Sequence, residues 1–556
     1  MKKLILLLVS INVWAQNPPP PLATPLNPPA DPVGNPTTVD KVMLGKILYW
    51  DEQLSSTKTV ACASCHIMSS GGTDPRANIN NTNAQNPGFD GVFQTADDVT
   101  GSPGVAQTDA SGKYVHNDTF LYNVQVTGRK SPSVINVGYA ASLFWDGRAI
   151  DQLIDPITNQ VILSSGAALE SQVLGPPVSS AEMAHTGRNW HDVIQSIEQA
   201  SPMALSTLLY PDMQNWIGNQ SYYQLFENVF GSTEITASKI AMSIASYERS
   251  LYSNQSPFDA NLNGDFAALT QQERRGLGVF RGALCGGCHA TALLSDNNFH
   301  NIGVTPNFED EGRFAVTGIN ADKGRFKTPP LRNLESRSSF MHNGGFSTLE
   351  QVVEFYDRGG DFNNPNLDPR MVALNLTQVQ KDDLVLFLKR PLTDLRVSNE
   401  TGPFSSPMLY SESNRMPQIA GSGIAGTNAK TPRIIANQPP LLGNKSFTVS
   451  VDNSLSGSQS LFVMSLQDPG LKTIPQIEDS IIYESRTLFS DNGDGHVSIS
   501  IELPANISMN GVSLYGRWYI EDNQAINGLA ISPLLQITLF KPEYGHAGQI
   551  FSASFD

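Results

Sequence analysis

Cys62-Ala63-Ser64-Cys65-His66 and Cys285-Gly286-Gly287-Cys288-His289 contain all four cysteines of this 556-residue chain. Both pentapeptides read C-x-x-C-H, the attachment signature of a c-type haem. Two thiols at this spacing can reach the two vinyl groups of one haem, and the adjacent His then lies under the iron as an axial ligand. A zinc site made from two CxxC pairs does not require a His after each, and thioredoxin-type redox chemistry needs one pair rather than two. A disulfide across a two-residue loop would be strained. The pattern therefore predicts two covalent haems, with Cys62, Cys65, Cys285 and Cys288 as thioether carriers and His66 and His289 as axial ligands. No cysteine is then left for a disulfide.

Each motif follows a stretch with helical patterning. Asp40 can cap a segment carrying Met43, Leu44, Ile47 and Leu48 on one face, and helical patterning returns from Tyr222 to Tyr247. Thr270-Gln271-Gln272-Glu273 is a capping box opening a helix toward Phe280. Ser347-Thr348-Leu349-Glu350 and Thr377-Gln378-Val379-Gln380 repeat that signature, and Pro391 ends the last helix. The layout predicts a mainly α protein of two cytochrome-c-like haem lobes, residues 39–245 and 246–396. Residues 81–113, rich in Asn, Asp, Gly, Thr and Ser, read as a loop inserted in the first lobe. A linker at 397–430 leads to an all-β sandwich at 431–556. There, alternating runs at 446–451, 497–501, 512–520 and 534–539 are separated by turn residues.

The termini and composition add a location. Met1-Lys2-Lys3, an apolar run to Ala15 and a Pro-rich stretch over 16–38 read as a signal peptide (1–15) and an extended tether. Export to a periplasmic or extracellular compartment follows. The apolar run is too short to span a bilayer, so the protein is not expected to be membrane-spanning. Lys+Arg 36 against Asp+Glu 52 gives a net charge of −16, which argues against nucleic acid and anionic membrane as natural partners.

Further segments fall in a recognisable order between and beyond the two motifs: Ser131-Pro132-Ser133-Val134-Ile135-Asn136, Phe144-Trp145-Asp146-Gly147-Arg148, Phe326-Lys327-Thr328-Pro329-Pro330-Leu331-Arg332-Asn333 and Met341-His342-Asn343-Gly344. With the two haem motifs, residues 40–395 resemble the bacterial di-haem cytochrome c peroxidase superfamily, which includes MauG-type enzymes that oxidise a partner protein. The resemblance does not extend to the β module. It implies that hydrogen peroxide reacts at the N-terminal haem (His66), that the C-terminal haem (His289) exchanges electrons, and that Trp145 lies between them. It further implies a distal Gln and Glu ten residues apart, which Gln172 and Glu182 match, with Glu182 as acid/base. Electrons would come from a small redox protein, a cytochrome c or cupredoxin, or from an oxidisable partner protein. A non-enzymatic di-haem electron-transfer protein is the alternative outside catalysis.

Three departures sharpen the expectation. The distal His of reductively activated peroxidases has no counterpart; His116 is the nearest and is displaced, and Tyr122 stands in the expected region. Fourteen residues after His342, where electron-transferring members place a Met ligand, this chain has Tyr356, as in MauG-type proteins. Tyr356 shares a helical face with Leu349, Val352 and Val353 and so points inward. Finally, the Asn that helps bind an inter-lobe calcium is replaced by Lys130, a cation with no acceptor, opposite carbonyl positions at Arg337 and Ser339. Calcium is thus not carried over there, and an ammonium could take its electrostatic role. Acidic turns at Asp90–Asp98 and Asp491–Gly495 resemble calcium loops only loosely, and the second reads better as a hairpin turn. His342 is expected to hydrogen-bond near the site rather than ligate. His185, His191 and His300 have no partner pattern.

Overall fold

The computed structural model describes residues 26–306, 309–474, 481–489 and 494–542. The expected signal peptide, the tether before residue 26 and residues 491–493 of the second acidic turn lie outside the described residues. Thirteen α-helices occur among the described residues, yet only 30% of those residues are helical, short 3-10 turns included. The mainly α expectation therefore needs correction: long loops wrap both lobes, and the C-terminal region is β-rich.

The two lobes share one construction. In the first, helix Val39–Trp50 crosses helix Ala237–Ser250, with Leu44, Ile47, Leu48, Ile240, Ile244 and Tyr247 in the core between and around them. Gly45 permits the crossing, because a Cβ there would sit 1.9 Å from the Ser243 carbonyl oxygen. In the second, helix Gln271–Gly282 crosses helix Gln378–Leu388, and a Cβ on Gly276 would lie 2.0 Å from the Asp383 carbonyl oxygen. Each crossing places a C-x-x-C-H segment just after its first helix, at Cys62–Cys65 and Cys285–Gly287.

Caps explain where these helices begin. Thr270 and Thr377 form the expected boxes with Glu273 and Gln380. Thr348, paired with Gln351, caps Leu349–Asp357 one residue later than the Ser347–Glu350 spacing suggested. The first helix is capped by the Thr38 hydroxyl, which accepts from Lys41 N at 3.2 Å. Asp40 instead sits in the first turn and accepts from Trp216 Nε1 at 3.0 Å.

Residues 397–430 are not a free connector. Val397, Phe404 and Leu409 join the core of the first lobe, and the Tyr410 and Ser411 amides donate to the Glu52 carboxylate at 2.5 and 3.1 Å. Gln418–Ala420 is already an edge strand of the β module.

That module is an antiparallel sandwich. One sheet runs Arg433–Ile435, Phe447–Leu455, Asp494–Ile501, Leu488–Phe489. The other runs Ile481–Arg486, Gln459–Ser465, Ser513–Glu521, Leu534–Thr538, Gln418–Ala420, with Leu529–Ile531 also paired to Ser513–Glu521. The alternation seen in the sequence places Phe447, Val449, Val451, Phe462, Trp518, Ile520 and Ile537 in its core.

Candidate functional site

A cavity of about 640 Å³ opens in the first lobe, within the range typical of ligand sites. Cys62, Cys65 and His66 line it, as do Trp145, Gln172 and Glu182. His66 Nδ1 lies 3.2 Å from the Gly72 carbonyl oxygen. A carbonyl only accepts, so Nδ1 carries the proton and Nε2 keeps its lone pair. Burial lowers the pKa of this imidazole below its ordinary value, which keeps it neutral and suited to ligate a metal.

Gln172 is supplied by helix Ala168–Val173 and Glu182 by the turn that follows Pro176–Val178. Burial raises the Glu182 carboxyl above the usual carboxylate range, with Arg148 partly opposing the shift. Among the described residues its carboxylate oxygens have no hydrogen-bond partner, so nothing in the protein fixes its proton. A carboxyl so placed, buried and without a fixed partner, is suited to take up and return a proton.

A second cavity, about 200 Å³, is lined by Cys285, Cys288, His289 and Tyr356. His289 Nδ1 is 2.6 Å from the Leu294 carbonyl oxygen, and burial pulls this imidazole down to about 4. The donor set of the first cavity is thus repeated, with a phenol added. Burial holds the Tyr356 hydroxyl well above its ordinary pKa, with nearby Cys288 and Cys285 reinforcing the shift. None of the four cysteines forms a disulfide. Two thiols beside a neutral imidazole with a free Nε2, in each cavity, fit covalent haem attachment.

The cavities share a wall made of Lys130, Ser131, Pro132, Ser133, Trp145, Lys327, Thr328, Pro329 and His342 in part. Trp145 is anchored there by Nε1 donating to the Lys130 carbonyl oxygen at 2.7 Å and by its own carbonyl accepting from Lys327 N at 2.8 Å. His342 stacks on Phe326 with ring centroids 3.6 Å apart and meets Trp145 edge-on at 6.3 Å. Lys130 is 4% exposed, and its ammonium donates to the Ser339 carbonyl oxygen at 2.6 Å. Burial brings this lysine down to about 7, with Arg337 contributing in the same sense and Asp74 opposing.

Other sequence candidates stand apart. His116 and Tyr122 do not line the first cavity; the His116 ring stacks on His496 of the β module at 4.0 Å. The histidines that do line it are His66 and His342. In the Asp90–Asp98 turn, Asp97 accepts from the Phe89 and Asp90 amides and Asp98 from the Gln94 amide.

Two features escaped the sequence reading. His300, for which the sequence offered no partner pattern, contacts Asp296 at 2.9 Å and Asp368 at 2.8 Å in the lining of the second cavity; Asp296 and Cys288 raise it to about 10. Ligand atoms of Cys288, Asp296 and His300 lie within 4.8 Å of one another. Glu248 lines the first cavity at 4% exposure, with Oε2 buried and unpartnered, and burial raises it to about 8. Its spacing from Ile240 and Ile244 put it on the inward helix face, which was the available signal.

Residues 39–267 match the di-haem cytochrome c peroxidase family. The cytochrome c551 peroxidase of Nitrosomonas europaea is 29% identical over 390 residues, covering 68% of this chain and 91% of that protein. The methylamine utilization protein MauG of Methylorubrum extorquens is 29% identical over 361 residues, covering 64% and 80% respectively. Among solved structures, a MauG-like protein associated with microbial copper homeostasis aligns at 24% identity and a TM-score of 0.49, covering 69% of this chain and 98% of that one. With both C-x-x-C-H motifs seated in cavities joined by one wall, the chain is similar to the di-haem cytochrome c peroxidase family, whose model matches residues 39–267.

Proposed function

We propose that this protein is an exported, periplasmic or extracellular, di-haem oxidoreductase that reduces hydrogen peroxide at the first cavity: H2O2 + 2 e⁻ + 2 H⁺ → 2 H2O. The observation that carries this is the joint lining of one cavity by Cys62, Cys65, His66, Gln172, Glu182 and Trp145, with Trp145 also lining the cavity of Cys285, Cys288, His289 and Tyr356.

In this reading Cys62 and Cys65 hold one c-type haem and His66 ligates it; Cys285 and Cys288 hold the other, with His289 and Tyr356 as ligands. Bound there, the first haem would supply redox-active iron for the reduction of peroxide. Glu182 takes the proton from the attacking peroxide oxygen and returns it to the departing one, while the Gln172 amide orients the molecule. The absence of a further histidine at the first cavity beyond His342 supports a first site that is ready without prior reduction. Trp145 provides the aromatic contact through which electrons pass from the second site. The reductant is a small redox protein such as a cytochrome c or cupredoxin, or a partner protein oxidised in its own right. Tyr356 favours the latter, because a phenolate donor stabilises the oxidised metal where a thioether would raise its potential.

The test is to mix oxidised holoprotein with one equivalent of peroxide, with and without a reduced small cytochrome c, after recording its EPR spectrum. A high-spin signal from the first site and peroxide loss in either arm support the proposal. Wholly low-spin iron together with inert peroxide would leave an electron-transfer protein instead.

A further inference from the structure

The insertion links the β module to the first cavity. At its cavity end, Asn86, Gly88, Phe89, Asp97, Asp98 and Val99 form part of the lining. Gln85–Asn86 pairs with Val99–Thr100, and the loop between is drawn tight by Asp97, which accepts from the Phe89 and Asp90 amides at 2.7 and 3.0 Å. A Cβ on Gly88 would lie 2.2 Å from the Asp97 carbonyl oxygen, so the turn tolerates no side chain there.

At its far end, Gly112 of the insertion and the segment 114–123 that follows it are gripped by the sandwich. The Asn437 amide donates to Tyr114 Oη at 3.1 Å, and the Gln438 side chain and the Thr448 hydroxyl both donate to the Gly112 carbonyl at 2.7 and 3.1 Å. Arg433 donates to Asn123 Oδ1 at 2.5 Å, and His116 stacks on His496. Tyr114, Tyr122 and Ala106 close a small apolar cluster with Ile435. The two ends are coupled through Phe93 edge-on to Phe120 at 6.1 Å and through Asn86 Nδ2 donating to the Val126 carbonyl at 2.8 Å.

We infer that the β module holds this insertion as a fixed cover on the first cavity, and so limits the oxidant reduced there to molecules the size of hydrogen peroxide. The inference rests on the peroxide reading of that cavity. The same stoichiometry, ROOH + 2 e⁻ + 2 H⁺ → ROH + H2O, applies to any hydroperoxide, with electrons from the reductant named above. On this inference a bulky R group would have to displace the 86–99 loop that lines the cavity, whereas R = H would not. The module is thereby a determinant of oxidant size, although it contributes no residue to the cavity lining.

The test uses the full-length holoprotein and two variants, H116A/N123A and Tyr114→Phe, each of which cuts the grip outside the cavity. Rates with hydrogen peroxide and cumene hydroperoxide are compared, and amide exchange is followed over residues 86–99. The expected result is a cumene-to-hydrogen-peroxide rate ratio raised at least tenfold, an unchanged hydrogen peroxide rate, and tenfold faster exchange in the loop. An unchanged ratio overturns the inference, whether or not the loop exchanges faster. A wild-type protein that reduces neither peroxide instead defeats the proposed function, and unchanged loop exchange in that case also removes the cover.

Discussion

Replacing Glu182 with Gln tests the chemistry most directly, because the structure predicts two effects of opposite sign. The amide keeps the side chain's size, and no hydrogen bond within the described protein is broken, since the carboxylate has no such partner. What is lost is proton transfer, which contributes roughly 10²–10⁴-fold to rate. At 1.36 kcal/mol per tenfold, that is about 3–5 kcal/mol of transition-state stabilisation. Stability should move the other way. Burial raises the folded-state pKa of this carboxyl, so the folded form binds its proton more readily than the unfolded form. That contribution is fully present below the ordinary carboxylate pKa and is lost as pH rises through the raised one. Above it, the wild type carries a buried charge that E182Q lacks. The variant should therefore be more stable than wild type at pH above the raised value and indistinguishable from it below the ordinary carboxylate range. Stopped-flow peroxide consumption between pH 5 and 9 reads the first effect, and urea unfolding above the raised value and below the ordinary range reads the second. A variant that retains more than half of the wild-type rate, or keeps the wild-type acid limb, refutes the assignment of Glu182 as the proton carrier.

Two further substitutions address the second lobe. Tyr356→Met exchanges a phenol for a thioether in the cavity of His289; the oxidised-to-reduced equilibrium of that site should shift at least tenfold toward reduced, 59 mV for a one-electron couple, in a spectroelectrochemical titration. An unchanged potential and spectrum would show that Tyr356 does not touch the metal. Asp259→Asn strips the partner from Arg332, a fully buried guanidinium that meets Asp259 through two 2.7 Å hydrogen bonds and also donates to the Ala292 carbonyl just after His289. Chemical unfolding should register a loss of about 3–5 kcal/mol, and a loss below about 1 kcal/mol would mean the charge finds water.

How legible all this was depended on the range of the interaction. The C-x-x-C-H motifs and the capping boxes at Thr270 and Thr377 are local, and the sequence states them outright. The sandwich strands were legible because alternation is also local, a period of two imposed by one buried face. Gln172 and Glu182 could be named only through the family resemblance, and the structure brings both into the lining of the His66 cavity. The partners of His300 were not legible, because one of its carboxylates, Asp368, is 68 residues away in sequence. Residues 397–430 were misjudged for a related reason. Their Gly, Ser and Pro content signals irregular backbone, but irregular backbone can still deliver Phe404 and Leu409 to a core built more than 300 residues earlier. The insertion, too, advertised its turns but not the contacts of Tyr114 and His116, just beyond it, that fasten its far end.

The hydrogen bonds from Tyr410 and Ser411 to Glu52 have a consequence for biosynthesis. They close a loop of 358 residues, and Val397, Phe404 and Leu409 complete the core around the helix Val39–Trp50. At ribosomal rates of 5–20 residues per second, the first lobe waits about 20–70 s between the synthesis of Glu52 and that of its last core residues. Throughout that interval Cys62 and Cys65 are already made, while the lobe around them cannot yet close. In a chain exported as proposed, the same order holds as it emerges across the membrane: the first thiol pair arrives well before residue 410 and stays accessible until that residue docks. The second pair has a shorter wait, since its lobe's last helix ends at Leu388, about 100 residues after Cys288.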